Sequence, residues 1–282
     1  MKRRSWMTLG IVLTVLSAVV LTGCGNKEGG DNVGANGNSP SEAASALGDI
    51  KSRGKLVVGV KYDTKLFGLK DPASGNVEGF DIDIAKALAK EILGDETKIE
   101  LKEVTSKTRI PMLNNNDIDM IVATMTITEE RRKEVDFSDV YFKAGQSLLV
   151  KKGSPIKSID DIKKGTKVLA VKGSTSVDNI KAKVPDATIL EFDNYQDAFS
   201  ALKAGQGETL TTDNAILYGM AVQDPNYEVV GEPFTDEPYG IAIKKGATDL
   251  LNSVNEGLKK LHDSGEYDKM YEKWIGKAPS GE

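Results

Sequence analysis

Ile121-Val122-Ala123-Thr124-Met125-Thr126-Ile127-Thr128-Glu129-Glu130-Arg131-Arg132 opens as an apolar, β-branched run and closes as a charged, helix-forming segment. The first part reads as a buried strand. Thr126-Ile127-Thr128-Glu129 has the capping-box form and predicts a helix that begins at 126–128. A strand that runs into a helix N-terminus leaves backbone N–H groups free at the turn. With hydroxyls beside them and Arg131 one turn in, the place suits a small carboxylate. A plain strand–turn–helix with a solvated arginine has the same local pattern, so the choice depends on what the rest of the chain brings to this turn.

Upstream, residues 56–60 form a short β-branched run, read as a first strand, and Lys61-Tyr62-Asp63-Thr64 follows at its C-terminal end, where α/β sheets place their ligands. Residues 71–76 are a turn. Apolar residues at 84, 85, 88, 89 and 92 mark one face of a helix, with Asp81 as the expected N-cap and Gly94 as the stop. A strand over 98–104, a short helix over 108–113 and a strand over 118–123 lead into the opening stretch. Downstream, residues 137–143 read as an irregular aromatic passage and 146–150 as a strand. A short helix over 157–163 follows, and then the pattern restarts. A strand over 167–171 ends in Lys172-Gly173-Ser174-Thr175-Ser176, a helix covers 195–204, and a strand over 209–212 has Asp213-Asn214 at its exit. The shared order of elements predicts two α/β lobes of similar construction, with ligand held in the cleft between them. A strand at 241–243 and helices over 250–261 and 267–274 have no core of their own, so they return to the first lobe. Crossings between the lobes are expected near Gly145 and near Tyr239.

The first 23 residues read as a signal peptide: Lys2, Arg3 and Arg4, then an apolar run over 9–21 that is short for a membrane span. Leu21-Thr22-Gly23-Cys24 resembles a lipobox, the site at which bacterial lipoproteins are cleaved and acylated on cysteine, and Cys24 is the only cysteine. Residues 24–48 then read as the lipidated cysteine and a flexible tether, rich in Gly, Asn, Ser and Ala. The remaining divisions are a first lobe over 49–144, a second over 145–239, the return to the first over 240–276 and a tail over 277–282. Without the signal peptide the chain has 34 basic and 42 acidic side chains, a net charge of about −8. There is no basic stripe and no cluster of exposed aromatics, which argues against nucleic acid, and the acidic balance argues against membrane contact other than through the acyl anchor.

Enzymatic signatures are missing from the pattern. There is no Gly-x-Ser-x-Gly elbow, no P-loop and no Gly-x-Gly-x-x-Gly after a strand. The single histidine, His262, lies in a Lys/Asp-rich helical context, and with Cys24 committed to lipid no zinc or iron site can be assembled from soft ligands. No catalytic residue, metal site or cofactor is expected. What the chain does supply matches a zwitterion. Arg131, Thr126 and the nearby amides suit an α-carboxylate, and Ser174, Thr175 and Ser176 could reach the same group from the other lobe. Asp213 suits an ammonium, Phe80 offers an apolar wall, and Lys61 and Arg109 would favour a second, distal carboxylate.

On Gly79-Phe80-Asp81-Ile82-Asp83, Thr105-Ser106-Lys107-Thr108-Arg109-Ile110-Pro111, residues 123–131, Val135-Asp136-Phe137-Ser138 and Thr211-Thr212-Asp213-Asn214, the chain resembles a known family. These are the polar amino-acid substrate-binding proteins of ABC importers, the family 3 solute-binding proteins, and within them the Gram-positive glutamine-binding and aspartate/glutamate-binding lipoproteins. The resemblance covers residues 49–274. It implies a two-lobe, type II periplasmic-binding-protein-like α/β fold with two hinge-crossing strands. It implies that Arg131 clamps the α-carboxylate with Thr126 and the backbone at Thr124, that Asp213 accepts the ammonium, and that Phe80 packs on the ligand's aliphatic part. Arg109 and Lys61 then stand where acidic-amino-acid binders hold the side-chain carboxylate.

The expected function is therefore a lipid-anchored, monomeric receptor on the extracytoplasmic face of a bacterial membrane. It would close on glutamine, glutamate or aspartate and dock on an ABC permease. The competing expectations are a cyclohexadienyl- or arogenate-type dehydratase on the same fold, and a surface adhesin or sensor domain.

Overall fold

The computed structural model describes residues 45–276. The expected signal peptide, Cys24, the tether up to residue 44 and the tail over 277–282 lie outside the described residues. The chain begins with α1 (Ala46–Arg53), which Ser45 caps by accepting from the Gly48 N–H, and Ile50 of this helix is buried. The expected tether over 24–48 thus overlaps a packed helix at its end.

The first half continues as β1 (Leu56–Val60), β2 (Asp63–Thr64), β3 (Gly68–Lys70), β4 (Val77–Glu78), α2 (Phe80–Leu93), β5 (Ile99–Glu103), α3 (Arg109–Asn114), β6 (Met120–Ile121), α4 (Glu129–Glu134) and β7 (Val135–Ala144). The second half is β8 (Gln146–Lys151), a single 3-10 turn at Ile159–Asp161, β9 (Lys167–Val171), α5 (Thr175–Lys183), β10 (Thr188–Phe192), α6 (Tyr195–Lys203), β11 (Thr209–Asp213), α7 (Asn214–Gln223) and β12 (Tyr227–Val230). The chain ends on β13 (Glu237–Lys244), α8 (Thr248–Asp263) and α9 (Glu266–Trp274).

Two five-stranded sheets result, ordered β5-β1-β6-β13-β7 and β10-β9-β11-β8-β12. In each, three parallel strands are followed by an antiparallel one. The central parallel strand of the first sheet is apolar and buried at all five positions, Leu-Val-Val-Gly-Val, as a strand covered on both faces must be. One face of this sheet packs on α2, α8 and α9 through Val58, Ile84, Leu88, Val254 and Leu258, and the other on Leu113, Ile118 and Val135. The second sheet is covered likewise, by Phe199, Ile216 and Leu217 on one side and by Ile156 and Ile180 on the other. Each sheet with its helices is one lobe. Among the described residues, no helix is long and apolar enough to cross a membrane.

β7 and β13 pair antiparallel along their whole length and carry the chain between the lobes. The outward crossing is at Gly145. The return precedes Tyr239, because Glu237, Pro238 and Tyr239 already pair with Ala144, Lys143 and Phe142. The passage over 137–143 is thus a strand and not irregular. Register shifts opposite Gly240 break the alternation by which a strand is recognised, and exposure along β7 runs in pairs.

At Gly145 the two crossings touch. A Cβ there would lie 2.6 Å from the Pro233 Cβ and 2.7 Å from the Thr235 carbonyl oxygen. Gly145→Ala is therefore expected to cost about 1–3 kcal/mol, the scale of overpacking, read as a lowered midpoint in urea denaturation; an unchanged midpoint would contradict this close approach.

Candidate functional site

The C-terminal ends of the parallel strands point at one another across the cleft between the lobes. Lys61 follows β1, Thr124 and Thr126 follow β6, Ser174 follows β9, and Asp213 ends β11. All five are at least nine-tenths buried, and so are Arg109 and Ser176.

Around the turn after β6 the chain is strained. Thr124 has a φ of +44°, a left-handed conformation rare for a β-branched residue. Two charged groups hold it. Its N–H donates to the Asp81 carboxylate at 2.9 Å, and the Arg109 guanidinium donates to the Ala123 carbonyl at 2.7 Å and to the Thr124 carbonyl at 3.4 Å. Asp81 also accepts from the Tyr141 hydroxyl at 2.8 Å. It is therefore not the N-cap of α2; Gly79 stands at that place, and Asp81 lies wholly buried, bracing the turn. The helix start also lies later than the capping-box pattern implies. Thr128 is the N-cap of α4 and accepts from the Arg131 N–H, whereas Thr126 is bridged to Tyr239.

Arg131 spans the cleft. Its guanidinium donates to the Thr126 carbonyl at 2.7 Å on its own lobe and to the Gly173 carbonyl at 3.0 Å on the other. Asp213 accepts from the Tyr239 hydroxyl at 2.6 Å, and its second oxygen is buried with no hydrogen-bond partner. Lys61 donates to Ser106 at 3.0 Å and lies over the Tyr195 ring, 5.1 Å from its centroid. The Tyr195 hydroxyl meets Thr212 at 3.1 Å, and Thr212 is 3.3 Å from the Ser176 hydroxyl. A continuous set of contacts thus joins Lys61, Ser176, Asp213, Thr126 and Arg131 around one cleft.

Ser174 and Thr175 are turned aside within it. Ser174 donates to the Val171 carbonyl at 2.6 Å, so it does not cap α5. Thr175 donates to Glu237 at 2.8 Å. Phe80 does not join the site. Its ring lies in the core of the first lobe against Phe67, Tyr141, Phe142, Tyr267 and Tyr271, with the Tyr267 centroid at 5.6 Å. Its position at the start of α2 turns the aromatic inward. The apolar walls nearer the polar groups are Tyr195 and Tyr239, which residue type alone did not single out. His262 is exposed, against Tyr267. Among the described residues, no group of three or more histidine, cysteine or acidic side chains could hold a metal.

The electrostatics follow from burial. Burial pushes the Lys61 ammonium down to about 8 and the Arg109 guanidinium down to about 9, the neighbouring Arg131 charge adding to the latter. Arg131 is lowered too, chiefly by desolvation and against the pull of Asp213 and Glu237. Burial raises the Asp213 carboxyl to about 7, with Glu237 adding to it, and raises Asp81 to about 7 against its hydrogen bonds from Tyr141 and Thr124. None of the three cations forms an ion pair within 4.0 Å among the described residues. The raised carboxyls stabilise the fold fully below their ordinary value of 3.8 and cease to as pH rises through about 7. The lowered Lys61 stabilises it fully above 10.5 and ceases to as pH falls through about 8. At neutral pH both kinds of charge are held at a cost. A small molecule with a carboxylate at one end and an ammonium at the other would offset it.

Known proteins resemble this chain over nearly all of the described residues. The family model for bacterial extracellular solute-binding proteins, family 3, matches residues 56–277. The ABC transporter glutamine-binding protein GlnH of Bacillus subtilis (strain 168) is 61% identical over 270 residues, covering 95% of this chain and 97% of its own. The glutamine-binding protein of Geobacillus stearothermophilus is 60% identical over 260 residues, covering 90% and 99%. Among solved structures, an ancestral arginine-binding protein bound to glutamine superposes with a TM-score of 0.75 at 46% identity, covering 80% of this chain and 99% of its own. Family, fold and binding-protein character, with an extracytoplasmic place, thus agree with the residues read above, and this chain belongs to the bacterial extracellular solute-binding proteins, family 3.

Proposed function

We propose that this chain captures a free polar amino acid, L-glutamine before L-glutamate or L-aspartate, by closing its two lobes on it, and delivers it to an ABC permease. The observation that carries the reading is the buried Asp213 oxygen without a partner, in a cleft that Arg131 spans from the other lobe. An α-ammonium at Asp213 satisfies that oxygen, and an α-carboxylate at Arg131 gives its guanidinium a counter-charge. Thr126, the Ser176 hydroxyl and the backbone amides at the start of α5 complete the carboxylate's surroundings, while the side chains of Ser174 and Thr175 and the Thr124 N–H are engaged elsewhere.

The preference for glutamine is supported by the names of the two relatives near 60% identity, while Arg109 can serve either glutamine or glutamate. One arm of that guanidinium is bonded to the carbonyls of Ala123 and Thr124. Its Nε, buried and unpartnered, and the Lys61 ammonium remain for the ligand's distal end, where a side-chain amide oxygen or a carboxylate can accept. Closure is driven by contacts that the ligand makes only when both lobes meet it. The names of the relatives also weigh against a dehydratase. The protein acts as a monomer tethered through lipid on Cys24, a role supported by Leu21-Thr22-Gly23-Cys24.

Three outcomes test this reading. In calorimetry with L-glutamine, Arg131→Ala and Asp213→Asn each weaken binding about 30-fold or more, the scale of removing one partner from a buried, hydrogen-bonded charge pair; wild-type affinity in either variant contradicts its role. Because an ammonium requires ionised Asp213, whose free-protein value is about 7, affinity is expected to fall between pH 8 and pH 5.5, towards about tenfold per unit at the acid end. A flat profile would remove Asp213 from the ammonium site. In cells, metabolic labelling with an alkyne-bearing palmitate analogue is expected to tag the wild type and not Cys24→Ala, and an unlabelled wild type would exclude the lipid anchor.

A further inference from the structure

β2 and the turn that follows it meet the opposite lobe outside the set of contacts described above. The turn is fixed from below. Leu66 has a φ of +78°, rare for a branched side chain. Its carbonyl accepts the Phe80 N–H at 2.8 Å, and the next carbonyl, of Phe67, accepts the Asp81 N–H at 3.1 Å. The Phe67 ring is wholly buried among Phe80, Phe142 and Tyr239. Strain of this kind persists only where the surroundings over-determine it.

From this base the turn touches two helices of the second lobe. The Asp63 carboxylate accepts the Tyr195 N–H at the start of α6, at 2.7 Å, and the Asp63 carbonyl accepts from the Gln196 side-chain amide at 3.1 Å. A carboxylate at a helix N-terminus is favoured by the free amides and the helix dipole together. Beside it, α7 sits directly on the turn. A Cβ at Gly219 would lie 2.5 Å from the Lys65 carbonyl oxygen, so only glycine lets the helix approach so closely.

We infer that the 63–66 turn is a clasp, with Asp63 as a positioning residue that holds α6 and α7 of the second lobe against the first. The clasp sets how readily the cleft closes; Gly219 carries no charge and acts through closure alone, whereas Asp63 also places a negative charge near the Lys61 ammonium. This rests on the reading of the cleft as one that closes on an amino acid.

The test compares Asp63→Ala and Gly219→Ala with the wild type. It uses calorimetry with L-glutamine and L-glutamate, stopped-flow dissociation, and small-angle X-ray scattering with and without saturating L-glutamine. Each variant is expected to lose about tenfold in affinity for both amino acids, the scale of one charge-assisted hydrogen bond. For Gly219→Ala the ratio between the two ligands should hold, and in both variants the loss should lie in faster dissociation. Ligand-free Asp63→Ala should be more expanded than the ligand-free wild type. Gly219→Ala should melt no lower than the wild type without ligand, because opening of the cleft relieves the contact with Lys65 and alanine is the better helix former, which separates lost closure from lost folding. Wild-type affinity in both variants overturns the clasp. A changed glutamine-to-glutamate ratio in Gly219→Ala also overturns it, since the turn would then act on the ligand itself. If the wild type binds neither amino acid, the reading of the cleft fails, and the clasp stands or falls on the expansion of ligand-free Asp63→Ala.

Discussion

Asp213 ends a buried strand with one carboxylate oxygen accepting from Tyr239 and the other meeting no donor. Around it stand Lys61, Arg109 and Arg131, with no carboxylate within ion-pair distance among the described residues. Desolvating an ion costs several kcal/mol even after the protein relaxes around it, so a fold that keeps such groups apart bears that cost for a reason outside its own packing. The ordinary remedy, moving a cation against the acid, is prevented by the architecture. Arg109 is held by the carbonyls of Ala123 and Thr124, Arg131 by Thr126 and Gly173, and Lys61 by Ser106. Each charge is fixed by neutral partners and is left with capacity for a ligand.

The two sheets make this possible. In each, the parallel strands end at the cleft, so backbone order alone brings four loops from distant parts of the chain to one place. The antiparallel strand in each sheet is the one adjoining a crossing, β13 in the first and β8 in the second. Closure as proposed would therefore not require either sheet to be remade; it would bend the connections around Gly145 and residues 231–236. Glu237 joins these connections to the site. It accepts from Thr175 and Asn179 of α5 and from Thr235, tying the helix beside the proposed carboxylate position to the returning strand.

Much of this was legible in the residues. β1, β5, β6, β9 and β11, the helices α2, α6, α8 and α9 and the loops with Arg131 and Asp213 announced themselves through β-branched runs, helical periodicity and small polar residues at strand ends, signals carried by neighbours in sequence, whereas α1, β10 and α7 did not. What stayed hidden depends on contacts far along the chain. Asp81 has the form of a helix cap, and only its meeting with Thr124, 43 positions on, shows that it braces the site. Phe80 is aromatic and lies beside the expected site, but residue type says nothing of which way a ring turns, and five other aromatics draw it into the core. β7 lost its alternation to the register shifts opposite Gly240. Tyr195, Tyr239 and Glu237 belong to the site through pairings between halves that no local pattern encodes.

The central claim is that Asp213 is buried and without an ionic partner until a zwitterion reaches it. Carbon-13 NMR titration of its side-chain carboxyl, identified by its loss in Asp213→Asn, measures this directly. The free protein is expected to titrate near 7, and saturation with L-glutamine is expected to move the midpoint down by more than one unit, because a bound ammonium favours the ionised form. A carboxyl that titrates near 4 in the free protein, or one whose midpoint L-glutamine leaves in place, would contradict the account.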